Sequence, residues 1–362
     1  MLVILDHLAK RMPNLIDPFS IFVLTRHKND TILFAMIAFS KSRLAACFGL
    51  LAVLAGTAFS QKASLAGHGL AHRDFFYAGE AKIHHMYVVE KGEIAWHYHN
   101  PDSRGEISDA LLLSGGNILF AHQFGITEIT RDQQTVWSIE APQGTEIHTV
   151  QPIGREHIVY VQNGLPAKMI VMHIPTKKII REFELETREE GSVHGQFRNA
   201  RLTRYGTYMV AHMNLGKVIE YDSRGNTLWS VDIPGPWSVQ PLDNENVLVV
   251  SNTGFVREIN RCKETVWEVN LRENPLFNVT SPQVAYRTAD GNTIVNNWFN
   301  QWGRTPLDRE NPPLQAVEIS PDKHLVWELC SWNDPYDLGP STIIQPLDEP
   351  VDRDKLYFGD IK

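Results

Sequence analysis

The chain has 362 residues, 43% of them hydrophobic, and a formal net charge of -8 at pH 7. This apolar content is enough for a folded protein with a large core. The acidic balance argues against a nucleic-acid partner, because binding to phosphates requires a basic surface. Three cysteines are too few for a disulfide framework.

The first sixty residues contain a segment that looks like a secretory signal. Lys41-Ser-Arg43 precedes an apolar run from Leu44 to Gly56, and small residues follow as far as Ser60, in the order typical of a signal peptide. We therefore expect a mature protein from Gln61, exported to the periplasm or the extracellular space and free of the membrane after signal removal. An ordinary signal carries no long charged stretch upstream, so we also expect translation to begin at Met36. The alternative is a buried or interfacial helix.

One pattern recurs along the rest of the chain. From Lys217 to Ile233 the sequence predicts a strand, a polar turn centred on residues 222–226, and a second strand that contains Trp229, which is typical of a β-hairpin. Equivalent stretches are Met86–Trp96, Gly125–Trp137, Ile170–Ile180, Phe255–Trp267 and Ala316–Trp327, with Ile180 in place of a tryptophan. A spacing of about 40 residues fits the four-stranded blades of a propeller.

A second strand pair precedes most of these hairpins, as in His148–Ile153 followed by His157–Val161. At the C-terminal end, Ser341–Leu347 and Lys355–Gly359 look like two inner strands that lack an outer hairpin, whereas Met86–Trp96 is an outer hairpin that lacks an inner pair. Together these segments complete one blade, and closing the ring removes the exposed sheet edges.

We therefore predict an all-β protein whose residues 86–362 form a six-bladed β-propeller with four-stranded blades. N- and C-terminal strands share its closing blade, and residues 61–85 form a lead-in strap. A two-sheet sandwich is the alternative, although sandwiches do not repeat in this way.

The sequence of these hairpins resembles a known group of propellers. Val256-Arg-Glu-Ile-Asn260, Val266-Trp-Glu268 and the turn Asp290-Gly-Asn-Thr293 are similar to the PQQ-like repeat propellers and the arylsulfotransferase-type six-bladed propellers. The resemblance covers roughly Phe75 to Lys362 and implies the fold. It also implies a pore histidine as nucleophile if the activity is that of an arylsulfotransferase. The paired cysteines and metal-ligand signatures of the quinone-dependent dehydrogenases are missing, so we expect no cofactor.

Polar residues recur where the first strand of a blade begins and the second ends, on the face where propellers usually bind ligands. We expect His122, His148, His194 and His212 to surround one pocket there, with Arg198 or Arg201 holding an anionic group. Neutral imidazole acts as a base, a nucleophile or a metal ligand near pH 7. The alternative is that each histidine only links neighbouring blades.

No His-x-His or Cys-x-x-Cys spacing is present among these residues, so we predict no metal site.

An insertion from Asn296 to Pro313 contains several aromatic residues among amides. Trp298, Phe299 and Trp302, followed by Arg304, have the composition of a platform on which a sugar ring packs. The alternative is a loop whose rings fold back over the blade.

These observations favour an exported propeller that binds a polar small molecule, and they favour a carbohydrate over other ligands. The catalytic candidates are His148, His194 and Arg198. The candidate ligand-binding residues are His122, Asn199, His212, Trp237, Asn252, Asn297, Trp298, Trp302 and Arg304. The alternatives are an arylsulfotransferase-like or carbohydrate-active enzyme and a scaffold for protein partners. The repeated glutamates of the hairpins suggest glycoside hydrolysis, but their fixed place in an outer strand favours a structural role.

Overall fold

The computed structural model describes residues 21–26, 32–37, 69–81, 85–100, 105–188, 191–274, 277–299, 306–334 and 337–355. The chain divides into two compact units, Met1–Ser64 and Leu65–Lys362. In the first unit, strands β1 (Ile21–Arg26) and β2 (Ile32–Ile37) form an antiparallel pair. The predicted signal segment lies outside the described residues. Within the described ranges, no helix is long and apolar enough to cross a membrane.

The second unit is a six-bladed β-propeller, as predicted, and each blade is a sheet of four antiparallel strands. Blade 1 contains β3 (Phe75–Gly79), β4 (Met86–Glu90) and β5 (Glu93–Tyr98), and blade 2 contains β6 (Asp109–Leu112), β7 (Ile118–Ala121), β8 (Gly125–Ile129) and β9 (Thr135–Glu140). Blade 3 contains β10 (Glu146–Ile153), β11 (His157–Asn163), β12 (Ala167–His173) and β13 (Lys178–Leu185), and blade 4 contains β14 (Phe197–Leu202), β15 (Tyr208–His212), β16 (Lys217–Tyr221) and β17 (Thr227–Asp232). Blade 5 contains β18 (Pro236–Pro241), β19 (Val247–Ser251), β20 (Phe255–Ile259) and β21 (Thr265–Asn270), and blade 6 contains β22 (Pro282–Arg287), β23 (Thr293–Asn297), β24 (Ala316–Ile319) and β25 (Leu325–Leu329). The last strand, β26 (Ser341–Pro346), is the innermost strand of blade 1.

The closing blade joins the two ends of the propeller as predicted, but the division of its strands differs from the prediction. Strand β26 pairs with β3 in the order β26-β3-β4-β5, so the C-terminal side contributes one strand and the N-terminal side three. Phe75–Gly79, which we assigned to the lead-in strap, is therefore the second strand of the blade. All five of its residues are buried. Of the other predicted inner strand, Lys355–Gly359, only Lys355 is described, and it lies in a short 3-10 turn.

The hydrophobic core lies between the blades. Buried residues form six clusters, and each cluster joins two neighbouring blades. Between blades 3 and 4, for example, Val161 and Met169 pack with Phe197 and Tyr208. Because both faces of a blade are covered by its neighbours, its inner strands are apolar on both sides, as in β19, where all five residues are buried. Burying this apolar surface is the main force that holds the ring together.

The glutamate and tryptophan of the sequence repeat link neighbouring blades at the rim. In four of the hairpins the two residues are cross-strand partners, as in Glu220 opposite Trp229 and Glu318 opposite Trp327. The Trp229 indole donates to a carbonyl in the outer turn of blade 5, at 3.0 Å. Glu318 accepts hydrogen bonds from Arg73, before blade 1, and from Asn292. These contacts confirm the structural role that we expected for the repeated glutamates.

The innermost strands are linked by a second repeated contact. In three blades a glutamine that precedes a proline accepts a hydrogen bond from a backbone N–H of the next blade. The glutamines are Gln151, Gln240 and Gln345, and the donors are Leu202, Arg287 and Leu112, at 2.7–2.9 Å. These bonds set the spacing of the strands around the central channel.

Candidate functional site at the mouth of the propeller

A β-bulge occurs near the start of the innermost strand in five blades. Bulges often lie beside active sites, where they turn a side chain out of the regular alternation. The bulged residues are His148, Arg198, Trp237, Thr342 and, in blade 6, Gln283 with Val284. Ser108 holds the corresponding place in blade 2, immediately before β6. We call the end of the channel where these residues lie the mouth.

At the mouth, His148 and His194 share one carboxylate. His148 Nε2 lies 2.7 Å and His194 Nδ1 2.8 Å from the same oxygen, Oε2 of Glu146. Gln123 donates to the other oxygen at 3.0 Å. An ionised carboxylate only accepts hydrogen bonds, so both rings donate to it. Their remaining nitrogens, His148 Nδ1 and His194 Nε2, are then free to accept hydrogen bonds.

Arg198 and Ser108 meet these remaining nitrogens. Arg198 Nη1 lies 3.2 Å from His148 Nδ1 and donates to Glu106, and Nη2 is hydrogen-bonded to His194 Nε2. The Ser108 hydroxyl lies 2.7 Å from His148 Nδ1 and 3.2 Å from Glu106 Oε1. The Arg198 guanidinium also lies over the Trp237 ring, 4.9 Å from its centroid. The network thus connects side chains from blades 2 to 5.

Most of this network is shielded from solvent. The side chains of His148 and Arg198 are 0% and 5% exposed, whereas that of His194 is 30% exposed. Burial raises the pKa of Glu106, but Arg198 and His148 outweigh burial and hold that pKa well below its usual range. Burial likewise raises the pKa of Glu146, and the bonds from His148, His194 and Gln123 lower it further than burial raises it. Of the two histidines, His194 is therefore the one that solvent reaches.

A third carboxyl group borders the same cluster. Burial and the charge of Glu106 raise the pKa of Glu80 to about 7, and a hydrogen bond from Trp298 and the charge of Arg198 only partly oppose this rise. Glu80 follows β3 of the closing blade, so blade 1 also contributes to the mouth.

The other two predicted histidines contact different residues. His122 Nε2 lies 3.3 Å from the Thr127 hydroxyl on β8 of its own blade. His212 is fully buried inside blade 4, between the carbonyl of Glu186 at 3.1 Å and the Tyr221 hydroxyl at 3.0 Å. Burial lowers the pKa of His212 to about 3, so it remains neutral in the folded protein. For His212, the contacts match the alternative of a structural histidine.

The predicted asparagines form backbone contacts. Asn199 accepts a hydrogen bond from the Val239 N–H of blade 5, and Asn252 donates its own N–H to Gly235. Asn297 is buried, accepts from the Ser281 N–H and donates to the Leu314 carbonyl. These contacts position loops and neighbouring strands.

The aromatic insertion folds back over its blade where it is described. Trp298 and Phe299 are only 8% and 9% exposed, and Phe299 packs edge-on against Trp332, with ring centroids 5.8 Å apart. Neither ring lies open to solvent as a platform for a sugar. Trp302 and Arg304 lie outside the described residues.

Sequence reasoning missed Glu106 and Glu146, which complete the cluster. One signal was available: Glu146-Ile-His148 and Glu106-Ile-Ser108 each place a glutamate two positions before the polar residue at the bulge position of its blade, so the same spacing recurs in blades 2 and 3. One ligand atom from each of Glu106, His148 and His194 lies within 4.8 Å of the other two, so these residues are able to hold a metal ion.

Beyond the mouth, the central channel contains a cavity of about 220 Å³ lined by the innermost strands, including Asn199, Gln240 and Tyr286. Arg201 also borders the cavity, but both its terminal nitrogens bond the buried carboxylate of Asp109, at 2.7 and 2.8 Å. Its charge is thus already balanced, which argues against the anion-holding role that we considered for Arg201.

The chain matches no protein-family profile and no curated protein. A protein of unknown function from Bacteroides caccae, solved by crystallography, is similar over 76% of this chain and 100% of its own, with a TM-score of 0.65 and 24% identity. A streptogramin B lyase is similar over 71% of this chain and 82% of its own, with a TM-score of 0.48 and 12% identity. A catalytically inactive virginiamycin B lyase from Staphylococcus aureus, solved with quinupristin, is similar over 70% and 83%, with a TM-score of 0.48 and 13% identity. At 24% identity, the likeness to the Bacteroides caccae protein shows the fold alone.

Proposed function

We propose that this propeller binds a polar small molecule at the mouth, a carbohydrate in our leading hypothesis. The supporting observation is the cluster in which His148 and His194 both donate to Glu146. A buried network of this kind is costly unless every member is satisfied, and ionisable groups with shifted pKa values concentrate at functional sites. The partial exposure of His194 gives a ligand access to the network.

The charges of the cluster favour a neutral or cationic ligand over an anionic one. Glu106 and Glu146 carry two negative charges, and Arg198 supplies one positive charge that Glu106 already engages. An aryl sulfate or a uronate would therefore meet net negative charge. A neutral sugar instead finds acceptors and donors for its hydroxyl groups and, beside them, the half-buried ring of Trp237.

Catalysis at the same site is our second proposal, because Glu146 fixes the proton position on both rings. A carboxylate that orients an imidazole is the arrangement by which enzymes prepare a histidine as a base or a nucleophile. His194 is the candidate catalytic residue, since it has the more exposed ring. The resemblance of the hairpins to PQQ-like and arylsulfotransferase-like propellers agrees with a catalytic role, but the charges of the cluster disfavour an aryl sulfate as the substrate. We also propose, from the signal-like segment, that the protein is exported from the cytoplasm.

Thermal shift on the full chain tests the binding proposal. The panel comprises neutral mono- and oligosaccharides, uronates and aryl sulfates, each at several concentrations. A ligand that binds the native state stabilises it by about 2.7 kcal/mol at a hundredfold excess over its dissociation constant. We expect a neutral sugar to raise the melting temperature of the wild type but not of His194→Ala.

The matched control is His173→Ala, which removes a histidine from the end of β12 at the opposite face and leaves the shift intact. If no sugar shifts a protein that melts cooperatively, the carbohydrate proposal is wrong and a scaffold for protein partners becomes the better interpretation. For any sugar that binds, mass spectrometry after incubation detects turnover, which we expect His194→Gln to abolish.

A further inference from the structure

Several acceptor groups converge on one point inside the mouth. Because Glu146 accepts a hydrogen bond from each histidine, the lone pairs of His148 Nδ1 and His194 Nε2 lie on the side away from it. The nearest carboxylate to His148 Nδ1 on that side is Glu106 Oε1, at 3.4 Å. Two ligand atoms bound to the same zinc ion lie at most about 4.2 Å from each other. The ligand atoms of Glu106, His148 and His194 lie within 4.8 Å of one another, so a small inward movement is enough for all three to reach one ion.

Glu146 supplies the outer support that metal-binding histidines usually have. A histidine that binds a metal generally donates its second ring nitrogen to a carboxylate, which fixes the tautomer and makes the ligand more basic. Here one carboxylate oxygen serves both rings, at 2.7 and 2.8 Å, and Gln123 holds the other oxygen. This pattern is more specific than three nearby ligands alone.

A cation already lies among these three groups: the guanidinium of Arg198, whose terminal nitrogens contact all of them. Its fit is incomplete, because Nε is buried and has no hydrogen-bond partner among the described residues, although the side chain is only 5% exposed. One positive charge also balances only one of the two carboxylates, Glu106 and Glu146. A divalent ion would balance both.

We propose that Glu106, His148 and His194 bind one divalent transition-metal ion, of which Zn²⁺ is the probe, in exchange with the Arg198 guanidinium. Two imidazole nitrogens favour such an ion over magnesium or calcium, which prefer oxygen ligands. Three protein ligands leave a coordination position open, as in catalytic zinc sites. Metal binding is measured without any sugar, so this proposal stands or falls independently of the proposed ligand.

The test is equilibrium dialysis of the chelator-stripped full chain against Zn²⁺, with the bound metal measured by mass spectrometry. We expect about one zinc ion per wild-type chain. Arg198→Met removes the competing cation and tightens binding at least about tenfold. His148→Gln and Glu106→Gln remove ligands and abolish stoichiometric binding. Glu146→Gln keeps all three ligands and weakens binding about 10- to 100-fold, as loss of an outer-shell partner does.

The matched control is His173→Gln, which we expect to leave zinc binding unchanged. His173 and His157 form a second pair of rings, 5.0 Å apart, at the opposite face, where zinc could bind adventitiously. Cobalt provides a readout that needs no variant: Co²⁺ in the wild type should give visible absorption bands that one equivalent of Zn²⁺ removes.

Two results would overturn the proposal. One is a wild type and an Arg198→Met variant that both bind no zinc, and the other is zinc binding that His148→Gln and Glu146→Gln leave unchanged. Equal zinc affinity in the wild type and in a folded Arg198→Met would refute the exchange with the guanidinium.

Discussion

His148 and Arg198 lie at equivalent β-bulges of neighbouring blades, and Arg198 Nη1 lies 3.2 Å from His148 Nδ1. The same backbone irregularity, repeated around the ring, thus turns side chains from several blades toward one point. A regular strand would alternate its side chains between the two faces of its sheet. The bulges convert a repeated structural unit into a site whose members differ from blade to blade.

Glu106 should stabilise the folded protein in a pH-dependent way. The pKa of Glu106 in the folded state lies below the ordinary carboxyl value. The ionised carboxylate therefore adds its full share to the free energy of unfolding above about pH 4.3, and this share is lost as the pH falls toward the folded-state pKa. We expect Glu106→Gln to cost about 3 kcal/mol at pH 7, because it leaves Arg198 buried without its ion pair. The cost should be about 1 kcal/mol smaller at pH 3.5. Urea unfolding in the presence of a chelator measures both values.

The control for this experiment is an exposed ion pair. Asp354 and Arg155 lie 2.8 Å apart at the surface, where solvent screens their attraction, so Asp354→Asn should leave the stability nearly unchanged at pH 7. If Glu106→Gln costs the same at both pH values, the carboxylate is not stabilised in the way that its contacts indicate.

His212 should make the propeller less stable as the pH falls below 6.5. Burial holds its folded-state pKa at about 3, so the unfolded chain takes up a proton between these values and the folded chain does not. Because of His212, the free energy of unfolding should fall by about 2 kcal/mol between pH 7 and pH 5. We expect His212→Phe to remove that part of the pH dependence, as measured by urea unfolding at both pH values.

Tyr221→Phe separates titration from hydrogen bonding in this experiment. It removes the hydroxyl 3.0 Å from His212 Nε2 but keeps the buried imidazole. We expect a loss of about 1 kcal/mol at pH 7, with the wild-type dependence between pH 7 and pH 5 preserved. A wild-type pH dependence in His212→Phe would rule out His212 as its source.

The link between Glu318 and Arg73 should be among the strongest at the rim. Glu318 is fully buried and accepts from Arg73 at 3.0 Å and from Asn292 at 2.9 Å. Glu318→Ala removes the buried carboxylate that both donors bind and leaves Arg73 only the longer ion pairs with Asp290 at 3.6 Å and Asp348 at 3.9 Å, so it should cost about 3 kcal/mol. Glu268→Ala is the control, since that glutamate is 37% exposed beside Arg257 and should cost at most about 1 kcal/mol. Similar losses of stability in the two variants would show that the link between Glu318 and Arg73 is no stronger than an exposed ion pair.

The fold was predictable because every blade packs against its neighbours in the same way, so the same residues recur in each repeat of the sequence. Glu220 and Trp229 recur at fixed places because each blade must contact its neighbour at the rim, so the hairpins were assigned correctly from their period. Phe75–Gly79 was assigned to the strap because both inner strands of the closing blade were placed in C-terminal segments. It is buried on both faces, and such a strand carries no period of its own.

The site was only partly predictable, because it depends on the bulges and on contacts between blades. His148, His194 and Arg198 were found together because their positions follow from the blade pattern. Glu106 precedes its strand and contacts Arg198 from another blade, and no local pattern indicates that contact. His212 occupies a position that the pattern assigns to the ligand face, yet it is buried between the Tyr221 hydroxyl of its own blade and the carbonyl of Glu186, which follows the last strand of blade 3.

The outer hairpin turn of blade 6 should be stabilised by a glycine. Lys323 has φ 66° at the position that Gly225 occupies in blade 4, with φ 84°, and this conformation is unfavourable for residues with a Cβ. Lys323→Gly should therefore add about 0.5–1 kcal/mol in urea unfolding, whereas Lys323→Ala keeps the Cβ and should add nothing. Gly225→Ala should cost more than about 1 kcal/mol, because its Cβ would lie 2.9 Å from Phe183 Cδ2. An equal gain from alanine and glycine at position 323 would assign the effect to loss of the lysine side chain.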